Sequence, residues 1–200
     1  YSWNKIYETK LMKKLSTYLF LILFSFSAPS FADDISKVED IEIEGISIGD
    51  SLLKHLSKEE IIKEIEINKH AYNYLNDDFG EVYLFSNFDN YNHLSFFVKP
   101  KDKDYTIYSI KGSVLYADKL EQCFAKQKKI EKEFSLMYKD AKKRKATLKF
   151  DWDPTGESVI YNTYFDFVSG DYIRVSCAKY KKSLKIKNNW EDYLQIVIGT

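Results

Sequence analysis

The chain is poor in the residues that most often announce chemistry. Its 200 residues include three histidines, two cysteines, seven glycines and three prolines. The histidines, His55, His70 and His93, have no paired spacing, so neither a zinc cluster nor an HExxH helix can be built from them. There is no Gly-rich phosphate loop and no CxxC pair. Arginine is scarce, with only Arg144 and Arg174 against 28 lysines. Net charge is absent too: 30 basic residues balance 30 acidic ones. A neutral chain has no global attraction to phosphate backbones or anionic membranes. No apolar run reaches the about 20 residues that a spanning helix needs.

What is present begins with a leader. Met12-Lys13-Lys14 is a short positive segment, Leu15 to Phe26 is apolar, and Ser27 to Ala32 supplies small residues, with Ser30 at −3 and Ala32 at −1. This pattern predicts a secretory signal peptide over 12–32, cleaved near Ala32. Residues 1–11 lie upstream of the expected start and are set aside as non-structural. The remainder, 33–200, is long enough for one well-buried α+β domain. The expected location is periplasmic or secreted. Without the four lysines and one glutamate of 1–32, residues 33–200 carry a formal charge of −3.

Export changes the meaning of the cysteines. Cys123 and Cys177 are an even count in an oxidising compartment, which favours a disulfide. Cys123 falls on a helical apolar stripe with Leu120, Phe124, Gln127, Ile130, Phe134 and Met137. Cys177 shares a strand face with Ile173 and Val175. A helix packed on a sheet would bring the two together, closing a loop of 54 residues. In the chain-entropy model such a bridge contributes about 4 kcal/mol.

The pattern then predicts two segments, each a helix followed by three strands. Ile41 to Ile48 reads as a short extended stretch. A helix follows from Ser51, broken near Ser57 by the capping box that Ser57 and Glu60 spell. Strands are expected at Glu81 to Phe88, His93 to Lys99 and Tyr105 to Tyr116, with Gly112 as a bulge or bend. The second segment has a helix over Asp118 to Lys143 and strands at Ala146 to Trp152, Ser158 to Val168 and Asp171 to Lys179. A further strand at Ser183 to Lys187 and a helix or edge strand over Trp190 to Ile198 close the chain. Hairpin connections predict antiparallel sheet with helices on one face. The order admits an αβββ unit used twice, with halves 41–116 and 118–200. No residue-level repeat accompanies it.

Few motifs offer chemistry. Gly49-Asp50-Ser51-Leu52 spells the nucleophile motif of the GDSL esterases and lipases. That family's base is a histidine near the carboxyl terminus with an aspartate three residues before it, and no such pair exists here. A helix cap at Asp50 or Ser51 explains the tetrapeptide locally. Asp151 and Asp153 open a stretch resembling a calcium loop, but Asn162 stands where a bidentate glutamate is needed, and Pro154-Thr155-Gly156 reads as a turn. Lys139, Lys142, Lys143, Arg144 and Lys145 form a basic cluster expected at the carboxyl end of a helix, where cations suit the dipole. No cofactor is expected. The abundance of Lys, Asn, Ile, Tyr and Phe follows AT-rich codon usage.

With the leader, Gly45 to Leu53, Tyr108 to Gly112, Cys123 and Phe165-Asp166-Phe167, the chain resembles a group of exported hypothetical proteins of AT-rich, small-genome marine alphaproteobacteria. That resemblance implies export and says little about activity. The Gly-containing entry to two short helices and a sheet is also similar to envelope domains of the outer-membrane assembly lipoprotein type (SmpA/OmlA), without their lipid-anchoring cysteine. That likeness concerns fold alone. The expected function is a non-catalytic exported domain that binds a protein partner or small ligand, through a strand edge or an aromatic patch, with no role for nucleic acid. The alternatives are a hydrolase using Ser51 and a structural envelope protein.

Overall fold

The computed structural model describes residues 38–69 and 78–200. The leader over 12–32, its cleavage site near Ala32 and His70 lie outside the described residues. The described residues belong to one compact unit, Ile35–Thr200.

A 3-10 turn, Val38–Asp40, leads into a two-strand ribbon, β1 (Glu42–Ile43) and β2 (Ile46–Ser47). Its turn places Glu44 and Gly45 at φ 54° and 77°, the left-handed pair of a tight hairpin. A 3-10 turn, Leu52–Lys54, precedes helix α1 (Lys58–Asn68). The expected capping box is formed: the Ser57 hydroxyl accepts from the Glu60 N–H, and the Glu60 carboxylate accepts from the Ser57 N–H at 2.8 Å.

Seven strands then form one antiparallel sheet. They are β3 (Gly80–Leu84), β4 (His93–Val98), β5 (Ile107–Ala117), β6 (Lys142–Lys149), β7 (Val159–Asp166), β8 (Tyr172–Lys179) and β9 (Asp192–Gly199). Helix α2 (Leu120–Met137) connects β5 to β6, and helix α3 (Lys182–Asn188) connects β8 to β9. The spatial order is β3-β4-β5-β9-β8-β7-β6. Two meanders therefore flank the last strand. The α+β class and the antiparallel sheet agree with the sequence pattern, whereas the αβββ repeat is not confirmed: α1 packs on β3, but α2 packs on β8, β9 and β5.

The pleat assigns each side chain to a face. Leu94, Phe96, Ile110, Phe165, Ile173, Val175, Cys177, Leu194 and Ile198 all point to the face that carries α1 and α2, and all are buried. Cys123 of α2 is bonded to Cys177 of β8 across this layer, as the two apolar patterns predicted, with Cα atoms 6.0 Å apart.

Four expectations are corrected. Residues Lys142 to Lys145 are not the end of the long helix; α2 stops at Met137, and these residues open edge strand β6. Lysines on an edge discourage sheet-to-sheet pairing, and salt bridges hold three of these cations. Lys143 and Lys145 reach Glu131 at 3.4 and 2.8 Å, while Arg144 pairs with Asp166. Residues Ser183 to Lys187 lie in α3 rather than a strand, and the left-handed Asn189 ends that helix by returning its N–H to Lys185. The final segment is the central strand of the sheet, not a helix or an edge; the dense Leu194-Gln195-Ile196-Val197-Ile198 run is what a strand covered by neighbours requires. Gly112 is not a bulge. The register shifts fall at Val98 and Ala117 instead, and the missing Cβ of Gly112 makes room for the Tyr91 ring.

Candidate functional site

The residues singled out from sequence take structural positions. Ser51 caps the 3-10 turn: its hydroxyl donates to the Asp104 carbonyl at 2.6 Å and accepts from the Leu53 N–H. No histidine is hydrogen-bonded to it among the described residues. Asp50 accepts from the Ser47 N–H and from Lys54. Asp153 closes its own turn. It accepts from the Thr155 N–H and hydroxyl and from the buried Ser158 N–H, and these bonds hold its carboxyl well below the usual range. Asp151 lies exposed in the adjoining turn. Among the described residues no group of three or more side chains could hold a metal ion.

The unexpected chemistry lies on the other face of the sheet, opposite α1 and α2. There the alternate positions are polar. Glu81 of β3, Ser95 of β4 and Lys111 of β5 meet in one cluster, the Lys111 ammonium and the Ser95 hydroxyl both donating to Glu81 Oε1, at 2.9 and 2.8 Å. All three are buried. Burial lowers the Lys111 pKa, and the Glu81 charge opposes that effect. The nearby His93 is likewise lowered by burial.

The polar layer continues across the sheet. Gln195 of β9 donates to the Ser113 hydroxyl at 3.2 Å and accepts from the Arg174 guanidinium of β8 at 3.0 Å. Ser176 of β8 donates to Asn162 Oδ1 of β7 at 2.7 Å. Among the described residues, three buried atoms in this layer have no hydrogen-bond partner: Glu81 Oε2, Asn162 Nδ2 and Arg174 Nε. Each buried polar group left so costs about 1–3 kcal/mol, so their place in the fold asks for an explanation.

One end of the same face is aromatic. Phe150 and Trp152 stack at 4.9 Å, Tyr180 lies 5.0 Å from Trp190, Trp152 meets Trp190 at 5.3 Å, and Tyr193 adjoins Tyr180. Burial raises the phenols of Tyr180 and Tyr193. The two tryptophans remain open, at 48% and 40% exposure, and Ile186 and Leu148 are exposed as well. Lys185 fixes α3 below this corner by donating to Asp118, Asp192 and the Ala117 carbonyl at 2.7–3.0 Å. A shallow groove of about 460 Å³ runs beside it, lined by Asp118, Glu157, Lys179, Lys181, Lys185 and Asp192 among others. Its cations Lys181 and Lys185 are already salt-bridged to Glu157 and to Asp118 and Asp192.

Sequence reasoning did not reach Glu81, Lys111, Asn162, Arg174 or the Trp152–Trp190 pair. A signal existed. Asn162-x-Tyr164 and Arg174-x-Ser176 place polar residues at period two inside strands, and Arg174 is one of two arginines in a lysine-rich chain. No protein-family model, curated protein or solved structure matches the chain.

Proposed function

We propose that the protein is an exported, non-catalytic binding domain that takes a protein partner on the aromatic end of the sheet face opposite its two longer helices. The observation that carries this reading is the exposure of Trp152 and Trp190 on top of a packed ring cluster. Rigid aromatics with apolar bodies and polar tips are the residues that anchor protein interfaces. Exposed Leu148 and Ile186 extend the apolar surface around them. Strand addition at edge β6 is disfavoured by the lysines along it.

Export is supported by the leader pattern over 12–32 and by the Cys123–Cys177 bond, which is compatible with an oxidising compartment. Among the described residues no helix is long and apolar enough to cross a membrane. The capping role of Ser51 gives the hydrolase alternative no geometric support.

The test uses the immobilised native protein with envelope extract. A partner captured by the wild type and lost with Trp152→Ala/Trp190→Ala supports the reading. Equal capture by both proteins removes the aromatic end as the contact. Intact mass of periplasmic material should lack residues 1–32; a retained leader contradicts export.

A further inference from the structure

The Arg174 side chain occupies a position that its surroundings do not explain. On the face opposite α1 and α2 its direct neighbours are Val197 of β9 and Tyr164 of β7, and its diagonal neighbours are Gln195, Gly199, Asn162 and Asp166. Diagonal neighbours lie about 7–8 Å apart, within reach of a long side chain. Among the described residues its one hydrogen bond is to the neutral Gln195 amide, and its Nε–H is buried with no acceptor. Neither Glu81 nor Asp166 of this face accepts from Arg174: Glu81 bonds Lys111 and Ser95 through Oε1, and Asp166 is held in a two-point grip by the other arginine, Arg144.

Asn162 adds a second donor. The residue is 3% exposed, and the Ser176 hydroxyl donates to its Oδ1, which orients the amide and leaves Nδ2 without an acceptor. Two buried donors thus sit on adjacent strands with no acceptor for either. The fork of an arginine matches two oxygens of a carboxylate or phosphate, and the Arg144–Asp166 pair displays that geometry within this chain. The low-dielectric setting strengthens any such contact.

We propose that Arg174 and Asn162, with Gln195 holding the guanidinium, form a binding site for the carboxylate or phosphate oxygens of an anionic ligand. The site uses none of the rings of the aromatic end, although Arg174 lies close enough for its charge to act on Tyr193, so either proposal can fail alone.

The scarcity of arginine makes the test direct. A ¹H–¹⁵N spectrum of the arginine Nε–Hε region contains two signals, one from Arg144 and one from Arg174. The signal missing in Arg174→Lys is the site's own reporter. Sodium acetate and inorganic phosphate, each titrated against sodium chloride at matched ionic strength, should shift that signal saturably and leave the Arg144 signal in place. Asn162→Ala should weaken the binding at least tenfold while keeping both signals. Stronger binding of phosphate identifies a phosphorylated ligand, and stronger binding of acetate a carboxylate. A linear shift equal to that in chloride, an equal movement of both signals, or unchanged affinity in Asn162→Ala overturns the proposal. Should Arg174→Lys not fold, Arg144→Lys assigns the two signals by elimination.

Discussion

The two faces of the sheet are built on opposite rules. The face under α1 and α2 is filled by Phe96, Phe165, Ile173, Ile198 and their neighbours, closed by the Cys123–Cys177 bond. The other face carries a buried ion pair, three unmatched polar atoms and, at one end, two open tryptophans. The first face is explained by stability alone. The second is not, since a set of apolar residues would fill the same positions without unmatched hydrogen bonds. The contrast separates the part of the molecule that stability explains from the part proposed above to bind.

The largest expected effects test that difference in kind. On the helix-bearing face, Phe165→Ala should destabilise by about 3–5 kcal/mol, because it opens a cavity against Phe134. On the opposite face, Lys111→Met should cost about 3–5 kcal/mol by leaving Glu81 buried without its cation. The double variant Glu81→Met/Lys111→Met should recover most of that loss. Urea titration of the three proteins decides the matter, and a double variant as unstable as Lys111→Met shows that the pair is not a unit.

A somewhat narrower effect concerns the staple. Cys123→Ser/Cys177→Ser should lose about 4 kcal/mol, with the denaturant slope rising because the unfolded chain is released from its 54-residue loop. An unchanged slope would place the loss in the native packing of α2 instead. In native material neither thiol should alkylate before reduction, as read by mass spectrometry.

The smallest expected effect is a pH dependence on the helix-bearing side. Burial pushes the Glu131 carboxyl up, but hydrogen bonds from Lys145 and Thr163 outweigh it and hold the group below its ordinary 4.5. A lowered carboxyl contributes stability above pH 4.5 and loses that contribution as pH falls through its folded value. Glu131→Gln should therefore flatten part of the acid limb of the stability curve below pH 4.5. An acid limb identical to the wild type would show that Glu131 is not coupled to Lys143 and Lys145 in solution.

Much of the helix-bearing side was legible from the sequence, because apolar periodicity reports burial directly. The stripe through Cys123 and Ile130 and the alternation through Ile173 and Cys177 were enough to set the disulfide. The Ser57–Glu60 box marked the start of α1 to the residue. Where the reading failed, two signals competed. Leu184 and Ile186 alternate as a strand would, yet a tight connection between β8 and β9 takes them into α3. The basic run after Met137 suits a helix end as well as it suits an edge strand, and only the pairing of β6 with β7 separates the two. The polar face was harder to read, since Glu81, Lys111 and Arg174 look like ordinary surface residues until the register places them side by side.

The claim that the face opposite α1 and α2 is the binding face can be met head-on by comparing two exposed apolar positions. Trp190 lies at the aromatic end of that face, and Leu136 lies on α2 at 63% exposure. A photoreactive residue at each position, irradiated in cells, should give a discrete cross-linked partner from position 190 and none from position 136. A partner captured from position 136 alone would contradict the account.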